Sequence, residues 1–310
     1  MSTGRGAFDR LLNGGTPERP VYAPLFTALA ARIGNADYRA TSSDPALWAA
    51  AVERTTALFD LDAFCFAADD ALLAEACGAP VHWCEDRPAI AGHVTAIDET
   101  PQRDGRLAAF IEAARRGCQR GTAQRACVVA FPGPVTLAEQ LFGADEAAAQ
   151  LSATKQVANG VLCAVCEARP DLAVLLEGPT LAAAAPSGAI RRAYHTLRNV
   201  AGYFDVPLAV MLEGYGTDEV ASFAALPCDV YVLGRAADGS LPTPAAAAAL
   251  AAQARAIGLS LPPAATAETL AALARWREQS PRVFYTSREP ARGRLEIEQV
   301  QAFVRALRAA

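Results

Sequence analysis

The residues of this chain best suited to chemistry stand where apolar runs end. Leu61–Ala68, apolar apart from Asp62, runs directly into the acidic pair Asp69-Asp70. Ala173–Leu176 ends in Glu177, and Leu208–Leu212 ends in Glu213. Burying an unpaired charge is costly, so a carboxylate at the end of a strand faces a cleft, a metal or a cation. If Asp69, Glu177 and Glu213 share one cavity, they raise one another's pKa values and one can serve as a proton donor near neutral pH. The same set could hold a cationic substrate or a hard cation. Each acid also has a structural reading, as the partner of an arginine or as a helix cap. Asp70, just before a helical pattern opening at Ala71, stands where an N-cap belongs. Arg235 follows the apolar run Val230–Leu233, and Arg288 follows Val283–Thr286. Either would clamp a substrate carboxylate or neutralise one of the acids. Tyr215 and Tyr285 stand at the same ends, as hydrogen-bond donors to a substrate or as packing groups.

Positioning these residues requires strands that end on one side. Eight candidate strands are Val21–Leu25, Ala63–Ala67, Cys127–Phe131, Ala173–Glu177, Leu208–Leu212, Val230–Leu233, Leu259–Leu261 and Val283–Thr286. Helical patterns separate them: Pro45–Phe59 behind an Asp44 cap, then Gln102–Cys118, Thr136–Phe142, Asp145–Ala168, Ala189–Phe204, Asp218–Ala225, Thr243–Ile257, Thr266–Gln279 and Glu296–Ala309. Alternation of this kind implies parallel strands with right-handed crossovers. Eight such units in this length predict a (β/α)8 TIM barrel of the α/β class, a single domain over residues 19–310 with an N-terminal extension over 1–18. An open doubly wound sheet is the weaker alternative, because no GxGxxG or GxxxxGK[ST] fingerprint follows any strand. In a barrel the strand-end acids converge on one mouth.

Composition bounds the rest. The chain has 310 residues, 52% hydrophobic and 20% charged, enough to bury a substantial core. Its net charge is −5 with arginines scattered, which argues against a nucleic-acid surface. Met1–Gly15 lacks the apolar core of a signal peptide, and no apolar run approaches the ~20 residues of a membrane span, so a cytoplasmic location is expected. The eight cysteines lie in apolar segments and read as small hydrophobes. Cys163-Ala-Val-Cys166 has no second pair at zinc spacing. His82-Trp83-Cys84 falls in an extended ribbon and reads as packing with a surface imidazole. His93 and His195 are expected to face solvent, and Thr136 to cap a helix whose backbone N–H groups could receive an anion.

Four segments resemble the uroporphyrinogen decarboxylase superfamily, which includes the methylcobamide:coenzyme M methyltransferases and the barrel of cobalamin-independent methionine synthase. They are Arg19-Pro-Val-Tyr-Ala-Pro-Leu25; Phe59-Asp-Leu-Asp-Ala63 leading to Ala68-Asp69 and Glu75-Ala-Cys-Gly-Ala-Pro-Val81; Phe131-Pro-Gly-Pro-Val-Thr-Leu-Ala138; and Leu175-Leu-Glu177-Gly178 with Val206–Gly214. The resemblance implies that Asp69 is the family's strand-two aspartate. The decarboxylase's Met-Arg-Gln-Ala-Gly-Arg segment, whose arginines hold substrate carboxylates, corresponds to Pro24–Arg32, which leaves Arg32 alone for that role. The family's late Gly-His-Gly corresponds to Thr286-Ser287-Arg288, without the histidine. These departures argue against uroporphyrinogen itself as substrate. The His-x-Cys zinc pair of the methyltransferase branch corresponds to Met211-Leu-Glu213, and no cysteine follows Cys228 to complete a zinc site.

The resemblance therefore implies an enzyme without metal or organic cofactor that decarboxylates a carboxylated aromatic or heterocyclic small molecule. Asp69 would stabilise or relay a proton to the reacting centre, with Glu213 and Glu177 completing the acid–base set. Arg235 or Arg288 would hold a carboxylate, and Asp70, Tyr215, Tyr285 and Arg32 would line the substrate site. Two alternatives stay open: methyl transfer to or from a corrinoid protein or small acceptor without the usual zinc motif, and a barrel that binds a small molecule without turning it over. A homodimer is expected from the resemblance alone.

Overall fold

The computed structural model describes residues 3–85, 87–98, 104–120, 124–182, 186–280, 282–290 and 293–309. Its strands are β1 (Val21–Tyr22), β2 (Ala63–Ala67), β3 (Val81–Cys84), β4 (Arg87–Ile90), β5 (Ala126–Pro132), β6 (Leu172–Glu177), β7 (Leu208–Leu212), β8 (Val230–Leu233), β9 (Ala256–Ser260) and β10 (Val283–Thr286). The helices are α1 (Gly4–Leu12), α2 (Ala28–Ile33), α3 (Tyr38–Ser43), α4 (Pro45–Phe59), α5 (Leu72–Ala76), α6 (Gly105–Arg120), α7 (Pro134–Phe142), α8 (Ala147–Cys166), α9 (Pro179–Ala182), α10 (Gly188–Tyr203), α11 (Pro244–Ala251), α12 (Ala267–Gln279) and α13 (Ile297–Ala309), with a 3-10 helix at Thr217–Ala225. Among the described residues no helix is long and apolar enough to cross a membrane.

Eight parallel strands run in the order β1-β10-β9-β8-β7-β6-β5-β2, with helices between them, as a (β/α)8 barrel requires. Among the described residues no ladder joins β1 to β2. Asp62 bridges that seam: its backbone N–H donates to the Tyr22 carbonyl at 3.2 Å, and its carboxylate accepts the Tyr22 N–H at 2.8 Å. Asp62 is fully buried and its charge is met by Arg19 at 2.5 Å and Arg308 at 2.8 Å. The acid is tolerated inside because two guanidinium groups and the Tyr22 N–H compensate its charge.

Alternation along each strand separates two apolar layers. Small side chains such as Ala63, Cys65, Ala67, Val128, Ala130 and Val174 fill the barrel, while Phe66, Val129, Phe131, Leu175 and Tyr285 pack against the helices. α1 forms the floor, burying Ala7, Phe8, Leu11 and Leu12 among the inward residues. The Phe8 ring lies 5.7 Å from that of Phe284.

Local signals set most element boundaries. The Asp44 carboxylate accepts N–H bonds from Ala46 at 2.7 Å and Leu47 at 3.1 Å, Pro45 opens α4, and Asp60 closes it in the left-handed region. One boundary differs from the sequence pattern. The helix predicted to run from Thr243 to Ile257 stops at Ala251, and Ala256–Ser260 is strand β9. The alanine-rich composition of that stretch carries no period to read. Gly258 must be small there, since a Cβ would lie 2.5 Å from the Phe284 ring. Residues 102 and 103 of the predicted Gln102–Cys118 helix lie outside the described residues; α6 spans Gly105–Arg120.

Candidate active site at the barrel mouth

The C-terminal ends of β2, β6, β7 and β10 carry Asp69 and Asp70, Glu177, Glu213 and Arg288 to one mouth. Two adjoining cavities open there. The larger, about 820 Å³, is lined by Asp70, His93, Glu139, Glu177, Glu213 and Arg288 among others. The smaller, about 300 Å³, is lined by Tyr38, Asp69, Asp70, Arg87, Arg288 and Glu289 with apolar neighbours. Asp70, Leu176 and Arg288 belong to both walls.

Asp69 is held on three sides. Tyr38 donates its hydroxyl to Oδ2 at 2.8 Å, Arg106 forms a close ion pair with the same oxygen, and the Ala71 N–H donates to Oδ1 at 3.0 Å. It is therefore Asp69, and not Asp70, that makes the turn into α5. Burial pushes the Asp69 carboxyl above the ordinary carboxylate range, and the Arg106 charge and Tyr38 hydrogen bond oppose that shift. Arg106 also donates to Glu75 at 2.6 Å and to the Ser42 hydroxyl at 3.0 Å. Its guanidinium lies 4.9 Å from the centre of the Trp83 ring, on the face that favours a cation.

Glu177 is buried at the end of β6, against the start of α7. Its carboxylate accepts the Val135 N–H at 3.3 Å, the Thr136 N–H at 2.8 Å, the Thr136 hydroxyl at 2.6 Å and the Tyr194 hydroxyl. Burial raises its pKa, against the lowering by the Thr136 and Tyr194 donors. Those four partners surround the carboxyl group on both oxygens. Glu177 thus braces the cavity wall, with its carboxyl engaged by protein donors. Thr136 caps nothing: α7 begins at Pro134 behind Gly133, and the Thr136 hydroxyl links Glu177 to the Gly178 N–H at 2.8 Å. A Cβ on Gly133 would overlap the Glu177 carboxylate, so only glycine admits this arrangement.

Arg288 spans the mouth. Its Nη1 donates to Glu213 at 2.9 Å and its Nη2 to Asp70 at 2.7 Å. Burial pulls its pKa down, and the Asp70 and Glu213 carboxylates more than offset that, holding it above the ordinary arginine value. Glu213 packs its stem over Gly234, where a Cβ would lie 2.5 Å from the Glu213 Cγ.

Three expected residues stand elsewhere, and a fourth, Arg32, stands beside the smaller cavity. Tyr215 is buried and donates to the Gly234 carbonyl at 2.8 Å, lining a different cavity beside Pro242 and Glu268. Arg235 pairs with Glu268 at 3.2 Å and donates to the Gly239 carbonyl, on the exposed side. Tyr285 faces the helix layer, since inward positions on β10 alternate through Phe284. Arg32 donates to the Leu295 carbonyl and lines a third cavity, of about 370 Å³, which shares Ala28, Arg87 and Glu289 with the smaller mouth cavity. Local position along a strand did not separate these from the mouth residues; strand parity and the path of each loop did.

Three residues of the site, Arg106, Tyr38 and Tyr194, carry no motif that marks them in the sequence. A weaker signal existed for Arg106, which shares a helix face with Phe110 and Ala113, so a charge on that apolar stripe required a buried partner. His93 is exposed on the cavity rim, and His195 is exposed as well, as the sequence reading expected of both. His82-Trp83-Cys84 forms half of the β3–β4 ribbon, with His82 exposed. Met211 points into the apolar barrel interior. Among the described residues no three His, Cys, Asp or Glu side chains are grouped to hold a metal ion.

A parallel eight-stranded barrel with charged residues gathered at its C-terminal mouth defines the class, a TIM-barrel protein built like an enzyme. The family model for uroporphyrinogen decarboxylase (URO-D) matches residues 4–169, more than half of the chain, and the protein belongs to that family. No curated protein sequence matches it. Among 38 solved chains that match is a methyltransferase from Methanosarcina mazei, 16% identical over 99% of this chain and 98% of that one, with a TM-score of 0.80. At that identity the likeness shows a shared fold.

Proposed function

We propose that the protein is an enzyme that removes CO2 from a carboxylated aromatic or heterocyclic small molecule bound at the barrel mouth. One observation carries this reading: a buried carboxylate, Asp69, and a guanidinium, Arg288, line the same small cavity. Decarboxylation of an electron-rich ring needs both. Arg288 holds the substrate carboxylate. A proton adds to the ring carbon that bears it, and the ring becomes cationic. Asp69, fixed by Tyr38 and Arg106, stabilises that charge without reorganising. The carbon–carboxyl bond then breaks, its electron pair returns to the ring, and CO2 leaves. The net reaction consumes one proton for each CO2 released. Glu213, partly open to the larger cavity, is placed to pass that proton in from solvent.

The test is release of labelled CO2 from pyrrole and indole carboxylates. Asp69→Asn is expected to lower kcat by about 10²-fold or more, the magnitude of losing one preorganised electrostatic group. No release from any of these substrates, or an undiminished rate in Asp69→Asn, overturns the proposal.

Methyl transfer is the second reading, supported by the end-to-end likeness to the Methanosarcina mazei methyltransferase. It predicts loss of a methyl group from a methylated donor to a corrinoid or thiol acceptor, read by mass spectrometry, with no CO2 formed.

A further inference from the structure

We infer that Asp70 is an internal stand-in for the substrate carboxylate: it occupies a position on Arg288 that a bound carboxylate takes over. The inference rests on the reading that this mouth takes a carboxylated small molecule, and it concerns binding, not turnover. The Arg288 fork is split between two acids, one Nη on Glu213 and the other on Asp70. Neither acid therefore has the paired, two-bond geometry in which a guanidinium holds one carboxylate best.

The two partners are not equally fixed. The Glu213 side chain is 35% exposed, and its stem is seated on Gly234. Asp70 is 69% exposed, and Arg288 is its only hydrogen-bond partner among the described residues. Its neighbour Asp69 carries the same charge and repels it. An exposed ion pair of this kind is weak, so an incoming carboxylate displaces Asp70 and leaves Glu213 in place.

Displacement also changes the shape of the site. Arg288, Asp70 and Leu176 form the wall common to the 820 Å³ and 300 Å³ cavities. Moving Asp70 aside removes part of that wall and opens the small cavity, where Asp69 stands, to the larger one. Asp70 thus sets both the affinity for carboxylates and the access of the ring to Asp69.

Removal of this acidic residue should therefore strengthen binding of an acid. Titration calorimetry with pyrrole-2-carboxylate, and with benzoate as a second probe, tests it on the full chain. Asp70→Asn and Asp70→Ser are expected to tighten both probes by about five-fold, the factor matching a weak exposed pair. Pyrrole-2-carboxamide, without the charge, should show no such gain. Adding Arg288→Met to either variant should abolish it. Unchanged or weaker binding in both Asp70 variants, no binding of either probe to any form, or a gain that survives Arg288→Met each overturns the inference. Tightening without CO2 release would sustain the inference and remove decarboxylation. CO2 release without tightening would do the reverse.

Discussion

At the scale of single residues, the four acids that end β2, β6 and β7 differ more in their partners than in their positions. Asp69 has a cation, Glu177 has four neutral donors, and Glu213 and Asp70 divide one arginine. The lack of a cation sets how Glu177 responds to pH. Because burial raises its pKa, the folded state keeps a proton that the unfolded chain releases at an ordinary glutamate pKa of about 4.3. A raised folded pKa contributes stability that is full below the unfolded pKa and is lost as pH rises through the folded one. Glu177→Gln lacks this titration but turns an amide N–H toward the Thr136 or Val135 N–H donors, at a cost of about 1–3 kcal/mol. The variant should be less stable than the parent, and its deficit should shrink as pH climbs above about 4.3. Urea midpoints of both proteins at several pH values check this; a deficit that widens with pH would show that the anion is the favoured form. The acids themselves were legible in sequence because each ends an apolar run. Their partners were not, since Arg106 lies far from Asp69 in the chain and only the fold brings them together.

Elements come next, and here α6 has more than a packing role. Its first turn supplies Arg106, which ties together β2 through Asp69, α5 through Glu75, α3 through Ser42 and the β3–β4 ribbon through Trp83. Replacing Arg106 by Met keeps the apolar stem and leaves Asp69 a buried charge without its counter-ion. Breaking a buried pair from one side costs about 3–5 kcal/mol. Arg106→Met should therefore lower the urea midpoint, whereas Arg106→Met with Asp69→Asn should restore part of the loss, because the stranded charge is gone. Additive losses would mean that the ion pair is not what joins these elements. The strands and most helices were legible from period and caps, as Pro45–Phe59 behind Asp44 shows. The start of β9 was not, because the alanine-rich stretch Thr243–Ile257 reads alike as helix or strand until Gly258 is seen to accommodate the Phe284 ring; the observed helix begins at Pro244 and ends at Ala251.

Over the whole molecule, the two ends of the barrel do different work. Charge gathers at the mouth, while the floor is sealed by α1, with Phe8 against Phe284, and by the Asp62 bridge across the β1–β2 seam. The sequence marks residues 1–18 only as an extension, because nothing in a short amphipathic segment says which surface receives its apolar face. Phe8 is fully buried, so Phe8→Ala removes a large side chain from the centre of the floor. Substitutions of this kind cost about 3–5 kcal/mol, part from lost transfer energy and part from the cavity left behind. Phe8→Leu leaves a smaller void and should cost less. Neither change touches Asp69, Arg288 or Glu213, so carboxylate binding measured well below the unfolding midpoint should match that of the parent. A fall in affinity that tracks the loss of stability would show that floor and mouth are mechanically joined through the inward layer of the strands, and the division of labour between the two ends would not hold.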